Sequence, residues 1–578
     1  MEVASKWLKD CHEDHKGCGP FKDVQMQLPT RVLDVGLSVV GKCAVTCLVD
    51  GKKRQDSYVA LSYCWGGERL LILDQNTRER LHTGLTDNEF PPTLRDAIAI
   101  TRNLGIRYLW IDALCIYQDS EDDWAAESAK MRDVYSAATI TLAAAAATKV
   151  SDGIFRKRPL PPETCRLMWR NEALSAEYIW LRPAMEVLDR EMRVSFINTR
   201  GWTLQESLLS YRVLWFCKTQ LVFECAEGRV NEAGHHTQAT DAFRNKDLMN
   251  QLRPRAALAR LYQVLRLFGI PPIVRVPWLV WNPPWDRAYT TQISWLVLDH
   301  CDIYTQGMLT TQSGKLHTPY EHWCAIVKEY TNRSLTKETD ALPALSGLAE
   351  HFAKATGDRY IAGVWESCLV DSLGWTRASR PHQRPGNENF VQPHSDRLYV
   401  APSWSWASVQ GSPVTLPNDT RWAGRLAKII SVAVERATSD LYGKLEGGRL
   451  VMDAPFLPIP DPQIPLAAGT LYPSLQRHLY ERITTTVTPG DDMANNFRQS
   501  HVECDEQVFA LVQTCRSGST MYILLLESTG NSVDYRRVAC WPQKMHPGPN
   551  LIIRTRLGEG VAAELEQAPW SRRRITLV

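Results

Sequence analysis

The chain has 578 residues, of which 44% are hydrophobic and 22% charged, as in globular proteins that bury a substantial core. At about 150 residues per domain, this length predicts roughly three to four domains. The 66 basic and 64 acidic side chains leave a net charge of only +2. The protein therefore has no overall positive electrostatic potential that would attract nucleic acid or an anionic membrane. We therefore expect no nucleic-acid partner.

Cysteine usage and apolar segments indicate the compartment. The 15 cysteines are an odd number spread along the chain, whereas secreted disulfide scaffolds are shorter and denser in cysteine. The start, Met1 to Trp7, has no apolar signal region. The longest apolar stretch, Ala137 to Ala147, is shorter than the roughly 18–20 residues of a membrane span. We expect a cytoplasmic, soluble protein with no membrane span.

A cysteine and histidine cluster lies close to the start of the chain. Cys11, His15 and Cys18 have a spacing that zinc ligands use, and Cys43 and Cys47 are conceivable partners. A closed structural zinc site needs four ligands, and the local cluster supplies three. We therefore expect no bound zinc, with Cys11, His15 and Cys18 as the candidate ligands if that expectation is wrong.

After a leader at residues 1–57, residues 58–230 alternate strands and helices. The predicted elements are a strand at Tyr58–Tyr63, a helix from Thr93 to Gly105, a strand at Ile106–Ile111, a helix from Trp124, a strand at Thr139–Leu142, a helix near Gln205–Leu209, and strands at Val213–Phe216 and Leu221–Cys225. This alternation is typical of an α/β domain with a parallel sheet. Ligands bind beyond the carboxyl ends of such strands, where Trp65 and Asp112 are expected.

The rest of the chain divides into two regions. Residues 231–420 are predicted to be mixed and mainly helical, and residues 421–578 to be β-rich, because short alternating runs such as Tyr522–Glu527 favour strands. The many prolines of Pro455–Pro473 predict a linker between elements.

Six short motifs occur in a fixed order along the first half of the chain. They are Arg31–Asp34, Tyr58–Gly66, Thr93–Ala97, Leu109–Ile116 with Gln118, the block Trp124, Glu127, Met131, Val134, Tyr135 and Ala138, and Thr199–Glu206. Together they resemble the heterokaryon incompatibility (HET) family of fungi, with the domain proper at about 58–206. The resemblance implies a role in non-self recognition and programmed cell death, as an effector module with partner proteins in that pathway. Self-association is left open.

A second resemblance concerns the segment around Glu127. The order of strand, polar loop, helix with Trp-x-x-Glu, and strand is similar to Toll/interleukin-1 receptor (TIR) domains, whose enzymatic members use this glutamate to cleave NAD. It implies a TIR-like parallel-sheet fold, with Glu127 as the catalytic carboxylate, NAD as substrate, and Trp65 or Trp124 stacking on a base. A carboxylate on an apolar helix face must be paired, protonated or at the edge of a cleft, and the structural alternative is a salt bridge to an arginine such as Arg95 or Arg132.

Further candidate residues come from the strand ends and the last motif. Asp112 and Glu206 are the other candidate catalytic carboxylates, although Asp112 could instead cap a turn or helix, and Gln205 and Glu206 could simply brace the cleft. The candidate ligand-binding residues are Trp65, Gly66, Gln118, Trp124 and Gln205. The predicted function is an effector of incompatibility and cell death, with an NAD-cleaving hydrolase as the alternative, and catalysis is left open.

Overall fold

The computed structural model describes residues 1–15, 18, 26–36, 45–67, 71–157, 165–170, 176–181, 192, 195–225, 228–232, 234, 236–237, 309–310, 316–317, 319–377, 399–409, 413–417, 424–459, 509–517, 520–529, 534–544 and 570–578. These residues form two compact units. The first comprises Met1–Asn250, Arg333–Thr336 and Pro343–Leu348, and the second comprises Gln251–Asn332, Lys337–Leu342 and Ala349–Val578.

The first unit is built on a nine-stranded sheet. The strands of the first unit are β1 (Arg31–Asp34), β2 (Cys47–Asp50), β3 (Tyr58–Ser62), β4 (Tyr108–Trp110), β5 (Ile140–Ala143), β6 (Cys165–Arg170), β7 (Ala176–Leu181), β8 (Val213–Phe216), β9 (Leu221–Cys225), β10 (Gly228–Asn231) and β11 (His236–Thr237). β6 and β7 form a separate hairpin, and the other nine strands form the sheet. The order across the sheet is β11-β10-β9-β8-β5-β3-β4-β1-β2.

The four central strands of this sheet are parallel. Val59 of β3 pairs with Leu109 of β4 on one side and with Ile140 of β5 on the other, and Leu142 of β5 pairs with Leu214 of β8. Every residue of these strands is buried, as expected for strands covered on both faces. The predicted parallel α/β sheet is confirmed at the centre, whereas the outer strands pair antiparallel at both edges.

Short helices connect the strands of the first unit. They are α1 (Glu2–Asp14), α2 (Arg78–Thr83), α3 (Pro92–Asn103), α4 (Asp112–Cys115), α5 (Glu121–Ser128), α6 (Met131–Ala137) and α7 (Trp202–Leu209), with 3-10 turns at Asp87–Glu89, Val150–Asp152 and Phe196–Thr199. The single helix predicted from Trp124 is wrong in two respects. It begins earlier, where Ser120 accepts a hydrogen bond from the Asp123 N–H (3.2 Å) and acidic residues fill the first turn. It also breaks after Ser128, and a second helix begins at Met131.

The described part of the second unit contains helices followed by a β-rich region. The helices are α8 (Pro319–Thr331), the second half of α9 (Pro343–Thr356) and α10 (Leu369–Ser372), with 3-10 turns at Glu338–Asp340, Glu366–Cys368 and Trp406–Ser408. The strands are β12 (Leu309–Thr310), β13 (Leu316–His317), β14 (Tyr360–Ile361), β15 (Val364–Trp365), β16 (Thr376–Arg377), β17 (Val414–Thr415), β18 (Gly424–Arg425), β19 (Lys428–Arg436), β20 (Leu445–Ile459), β21 (Phe509–Ser517), β22 (Thr520–Ser528), β23 (Asp534–Lys544) and β24 (Ser571–Leu577).

Five strands of the β-rich region close into a ring. β20 pairs with both β24 and β21, and the pairings β21–β22, β22–β23 and β23–β24 complete the circuit. The β-rich C-terminal region predicted from the sequence is therefore a small barrel, with β18 and β19 added at its margin. Closure satisfies the strand edges that an open sheet leaves exposed.

The linker predicted at Pro455–Pro473 is wrong over its first residues. Pro455 to Ile459 form the last part of β20, and Pro458 pairs in register with Ala510 of β21. β20 is long because it pairs in succession with β19, β24 and β21, so that its proline-containing end still has a neighbour on one side. Residues 460–473 lie outside the described residues.

A tight hairpin holds the aromatic core of the second unit. Between β14 and β15, Ala362 (φ 48°) and Gly363 (φ 95°) both have positive φ, as a two-residue hairpin turn requires. The Gly363 carbonyl oxygen accepts hydrogen bonds from the indole N–H groups of Trp323 (3.0 Å) and Trp406 (2.7 Å). Two buried tryptophans from distant segments are thereby fixed by one peptide group.

Substituting Gly363 with alanine is expected to lower the free energy of unfolding of the second unit by about 2–4 kcal/mol. An added Cβ would lie 2.6 Å from the Trp406 Nε1 atom, and the backbone would keep its unfavourable φ. Denaturant titration followed by tryptophan fluorescence measures the loss. Gly105→Ala, read in the unfolding of the first unit, is the control for the backbone effect alone, since Gly105 has φ +73° but nothing within 4 Å of its Cβ position. Equal losses for the two variants, each in its own unit, would contradict the packing argument.

Candidate functional site

Three segments of the first unit converge at the carboxyl edge of the parallel strands. Residues 62–65 end and follow β3, Asp112 follows β4 as the first residue of α4, and residues 200–206 lead into and through α7. Because neighbouring parallel strands end at the same edge, their terminal loops are brought together there. The strand-end position predicted for Trp65 and Asp112 is the one the structure shows.

A direct hydrogen bond links the ends of β3 and β4. The Trp65 indole Nε1–H donates to Asp112 Oδ2 at 3.1 Å, and the Ala113 N–H donates to Asp112 Oδ1 at 2.7 Å. Burial raises the pKa of Asp112, and the nearby Arg200 guanidinium opposes this rise. Asp112 thus occupies the predicted strand end and also contacts the backbone at the start of α4, so its two sequence interpretations are compatible.

Glu206 is the second carboxylate at this edge. It lies on α7, is buried, and accepts a hydrogen bond from the Ser62 hydroxyl at the end of β3. Burial raises its pKa to about 7, although the Ser62 hydrogen bond and the Arg200 charge act in the opposite direction. The Asp112 charge adds to the rise. Glu206 therefore changes its protonation near neutral pH.

Arg200 supplies a positive charge near the two carboxylates. Burial alone would lower its pKa, but the charges of Glu206 and Asp112 raise it above the usual value. Its Nη1 atom also donates a hydrogen bond to the Tyr63 carbonyl oxygen. One guanidinium facing two carboxylates leaves an excess negative charge when both are ionised, which agrees with the raised pKa of Glu206.

Two tyrosines enclose the charged groups. Tyr63 is buried beside Asp112, and burial together with that charge holds its pKa well above the usual range. The Tyr135 hydroxyl donates to the Leu61 carbonyl oxygen (3.3 Å) and lies beside Glu206. The complete Asp112–Glu206 cluster consists of Ser62, Tyr63, Trp65, Asp112, Tyr135, Arg200 and Glu206.

Four members of this cluster are absent from the residues selected by sequence reasoning. Ser62, Tyr63, Tyr135 and Arg200 all lie within the six motifs that resemble the heterokaryon incompatibility family. Of these four residues, Arg200 could have been predicted from the sequence, because two carboxylates predicted at one buried edge require a cation nearby.

Glu127 lies in a different environment. Its side chain is 5% exposed and forms a salt bridge with Lys130 Nζ at 2.8 Å, one helical turn away, and Lys130 also donates to the Thr30 hydroxyl (3.1 Å). The alternative prediction for Glu127, a salt bridge, is therefore right about the ion pair, but the partner is Lys130 and not Arg95 or Arg132. Arg132 pairs with Asp133. No hydrogen bond of Glu127 reaches the Asp112–Glu206 cluster among the described residues.

Two of the candidate ligand-binding residues have structural contacts. Gln118 donates from Nε2 to the carbonyl oxygens of Asp112 (3.2 Å) and Ile116 (2.9 Å), and so caps α4. Gly66 has φ +76°, and a Cβ there would lie 2.1 Å from the Cβ of Lys149. Glycine at this position is explained by the turn and by the close approach of a neighbouring chain segment.

Gln205 lies on α7, and Trp124 lies on α5 and contacts α7. The Trp124 ring packs edge-on against Trp202, with 5.9 Å between ring centroids. Gln205 is fully buried, its amide forms no hydrogen bond among the described residues, and its oxygen faces Gly347. The Trp124 ring thus contacts α7, while the ligand-binding role predicted for Trp124 and Gln205 stays a prediction.

A narrow crevice of about 200 Å³ opens beside Ser62. Its polar lining includes Thr141, Asn198, Thr203 and Ser207. Almost none of this space is wide enough for a water molecule, whereas sites that enclose small organic ligands usually have volumes of about 300–1,000 Å³. In this conformation the crevice is too small for a dinucleotide, and Ser62, Trp65 and Arg200 donate hydrogen bonds to other members of the cluster.

The N-terminal cysteine and histidine cluster has a fourth member. The ligand atoms of Cys11, His15, Cys18 and Cys225 all lie within 4.8 Å of one another. Cys47, a conceivable partner in the sequence, lies on β2 at the opposite edge of the sheet. Cys43 lies outside the described residues.

Residues 58–206 match the family model described as Heterokaryon incompatibility protein (HET), which confirms the family assignment made from the motifs for this segment. No curated protein and no solved structure matches the chain. The matched segment begins at the first residue of β3 and ends at Glu206, so it contains every member of the Asp112–Glu206 cluster. The TIR-like fold stays a prediction.

Proposed function

We propose, because residues 58–206 are a heterokaryon incompatibility (HET) domain, that this chain is an effector of fungal non-self recognition whose output is programmed cell death. The observation that carries the proposal is the match itself, whose motifs supply the cluster at the centre of the domain. The partners we propose are other proteins of the incompatibility pathway, in the cytoplasm, with self-association as one route to activation. Among the described residues, no helix has the length and apolar character to cross a bilayer.

The geometry favours an effector that acts through contacts. The carboxylates of the cluster are bonded to Ser62, Trp65 and Ala113, and the adjoining crevice holds only about 200 Å³. A closed, internally bonded cluster stabilises the loops at the sheet edge, which leaves the surface of the domain to carry the signal.

NAD cleavage is the second candidate function, and one observation favours it. Glu206 has a pKa of about 7 near Asp112 and Arg200, and a carboxyl group with a pKa close to the working pH is typical of general acid and base chemistry. In this alternative, a conformational change opens the carboxyl edge of the sheet. The Lys130 side chain, which is 49% exposed, moves into solvent, and Glu127 then approaches the ribose.

One experiment tests both candidates. The full chain is expressed from an inducible promoter in a filamentous fungus, while viability and cellular NAD are followed in the same cultures. The effector proposal predicts death with unchanged NAD, and survival of the induced cultures would overturn it. NAD loss that precedes death, and that Glu127→Gln abolishes, would establish the hydrolase instead. Glu121→Gln, an exposed glutamate on the same helix α5, is the matched control.

A further inference from the structure

We propose that Cys11, His15, Cys18 and Cys225 bind one structural zinc ion that fastens the N-terminal helix α1 to strand β9 of the nine-stranded sheet. Three ligands come from the start of the chain, and the fourth is the last residue of β9, more than two hundred positions later. This site is independent of the proposed function.

The distances between the ligand atoms suit a tetrahedral ion. His15 Nδ1 lies 3.3 Å from Cys225 Sγ and 3.8 Å from Cys18 Sγ, and all four ligand atoms lie within 4.8 Å of one another. Zinc bonds of about 2.3 Å to sulfur and about 2.1 Å to nitrogen place tetrahedral neighbours about 3.6–3.8 Å apart. Small rotations of the side chains are therefore sufficient to enclose the ion.

The surrounding elements hold the ligands in place before any metal binds. Cys11 lies on the buried face of α1, with Ala4 and Leu8. The helix ends at Asp14, and His15 is extended, which turns the chain toward the sheet. The Trp7 ring packs against Phe223 of β9 with 6.2 Å between centroids, so that the helix and the strand carrying Cys225 are already in contact. A preformed site of this kind needs little reorganisation on binding.

The charge around the cluster matches a zinc ion with three thiolates. Zn²⁺, three thiolates and a neutral histidine carry one net negative charge, which a buried site must balance. Arg212, whose residue surface is 1% exposed, donates from Nε to Cys11 Sγ (3.2 Å) and from Nη2 to the Cys18 carbonyl oxygen (3.1 Å). Hydrogen bonds from outer residues to metal ligands are typical of such sites.

The ligand set also identifies the type of site. Thiolates with imidazole in a four-ligand set are typical of zinc, whereas calcium and magnesium prefer oxygen ligands. Four protein ligands fill the tetrahedral coordination and leave no position for a substrate. The three cysteines are thiols in the structure and are buried, which keeps the ligands away from solvent. We therefore assign the site a structural and not a catalytic role.

Metal analysis of the purified full chain tests the proposal. We expect about one zinc per chain by inductively coupled plasma mass spectrometry, and loss of that zinc in Cys11→Ser and in Cys225→Ser. Cys47→Ser is the matched control, since Cys47 lies on β2 away from the cluster, and it is expected to keep its zinc. A wild-type chain without zinc, or full zinc in Cys225→Ser, would overturn the proposal.

A second measurement on the wild-type chain applies where a serine variant does not fold. Zinc is removed with a chelator under reducing conditions and replaced by Co²⁺, whose tetrahedral thiolate complexes absorb strongly in the near ultraviolet and visible range. We expect those bands to saturate at about one Co²⁺ per chain and to disappear when zinc is added back. No such bands, or a disulfide among Cys11, Cys18 and Cys225 in the protein purified without oxidant, would contradict a zinc site.

Discussion

Arg200→Met is expected to lower the free energy of unfolding of the first unit by about 3–5 kcal/mol, which is the usual cost of leaving a buried charge without its counter-charge. The variant leaves Glu206 and Asp112 at a buried edge without the cation that faces them. It also removes the hydrogen bond to the Tyr63 carbonyl oxygen. Denaturant titration or thermal melting of the purified protein measures the loss, which a marginally stable domain would show as insolubility.

Two further variants make this expectation specific. Arg200→Lys keeps the charge but not the planar group of donors, so we expect an intermediate loss. Arg80→Met removes an arginine that is 58% exposed and pairs with Glu89 on the surface, and it should cost less than about 1 kcal/mol. A similar loss for Arg80→Met and Arg200→Met would show that Arg200 in the cluster stabilises the first unit no more than a surface ion pair does.

The stability of the first unit is expected to fall as the pH rises from about 5 to about 8. The pKa of Glu206 is about 7 in the folded protein, against a usual value of 4.5. Below 4.5 the carboxyl is protonated in both states; between the two values only the folded state keeps the proton, so raising the pH favours unfolding. One pKa unit corresponds to about 1.4 kcal/mol, which gives a cost of about 3 kcal/mol above pH 7.

Glu206→Gln should remove most of this pH dependence. The amide oxygen can still accept the Ser62 hydrogen bond, but the side chain no longer titrates. Asp112, whose pKa is also raised, should leave a residual slope of the same sign. Unfolding midpoints across this pH range for the wild-type chain, Glu206→Gln and the exposed control Glu121→Gln measure the effect. An unchanged slope in Glu206→Gln would refute the assignment of the titration to Glu206.

The centre of the fold could be predicted because its strands are buried on both faces. The run Tyr108–Ile111 is apolar throughout and follows the turn at Gly105, which identifies a strand without knowledge of its neighbours. The antiparallel edges and the closed barrel could not be predicted, since strand partners depend on long-range pairing. The break between α5 and α6 was missed because apolar spacing continues across Ala129 and Lys130 while the hydrogen-bonding pattern does not.

The candidate site was predictable where topology alone decides position. Trp65 and Asp112 meet because both follow parallel strands, and Glu206 was named from its motif. The partner of Glu127 depended on side-chain geometry within one helical turn, and so Lys130 was not foreseen. Cys225 could not be predicted as the fourth ligand, because it lies too far along the sequence from Cys11 to form a recognisable ligand spacing. Only the packing of α1 on β9 brings the two cysteines together.

The closed barrel of the second unit constrains the order in which the protein can fold during synthesis. β20 pairs with β24, and about 120 positions separate Phe456 from its partner Ser571. The ring therefore stays open until the ribosome has released Ser571–Leu577. The nine-stranded sheet of the first unit is complete at Thr237, so its strands can pair while more than half of the chain is still untranslated.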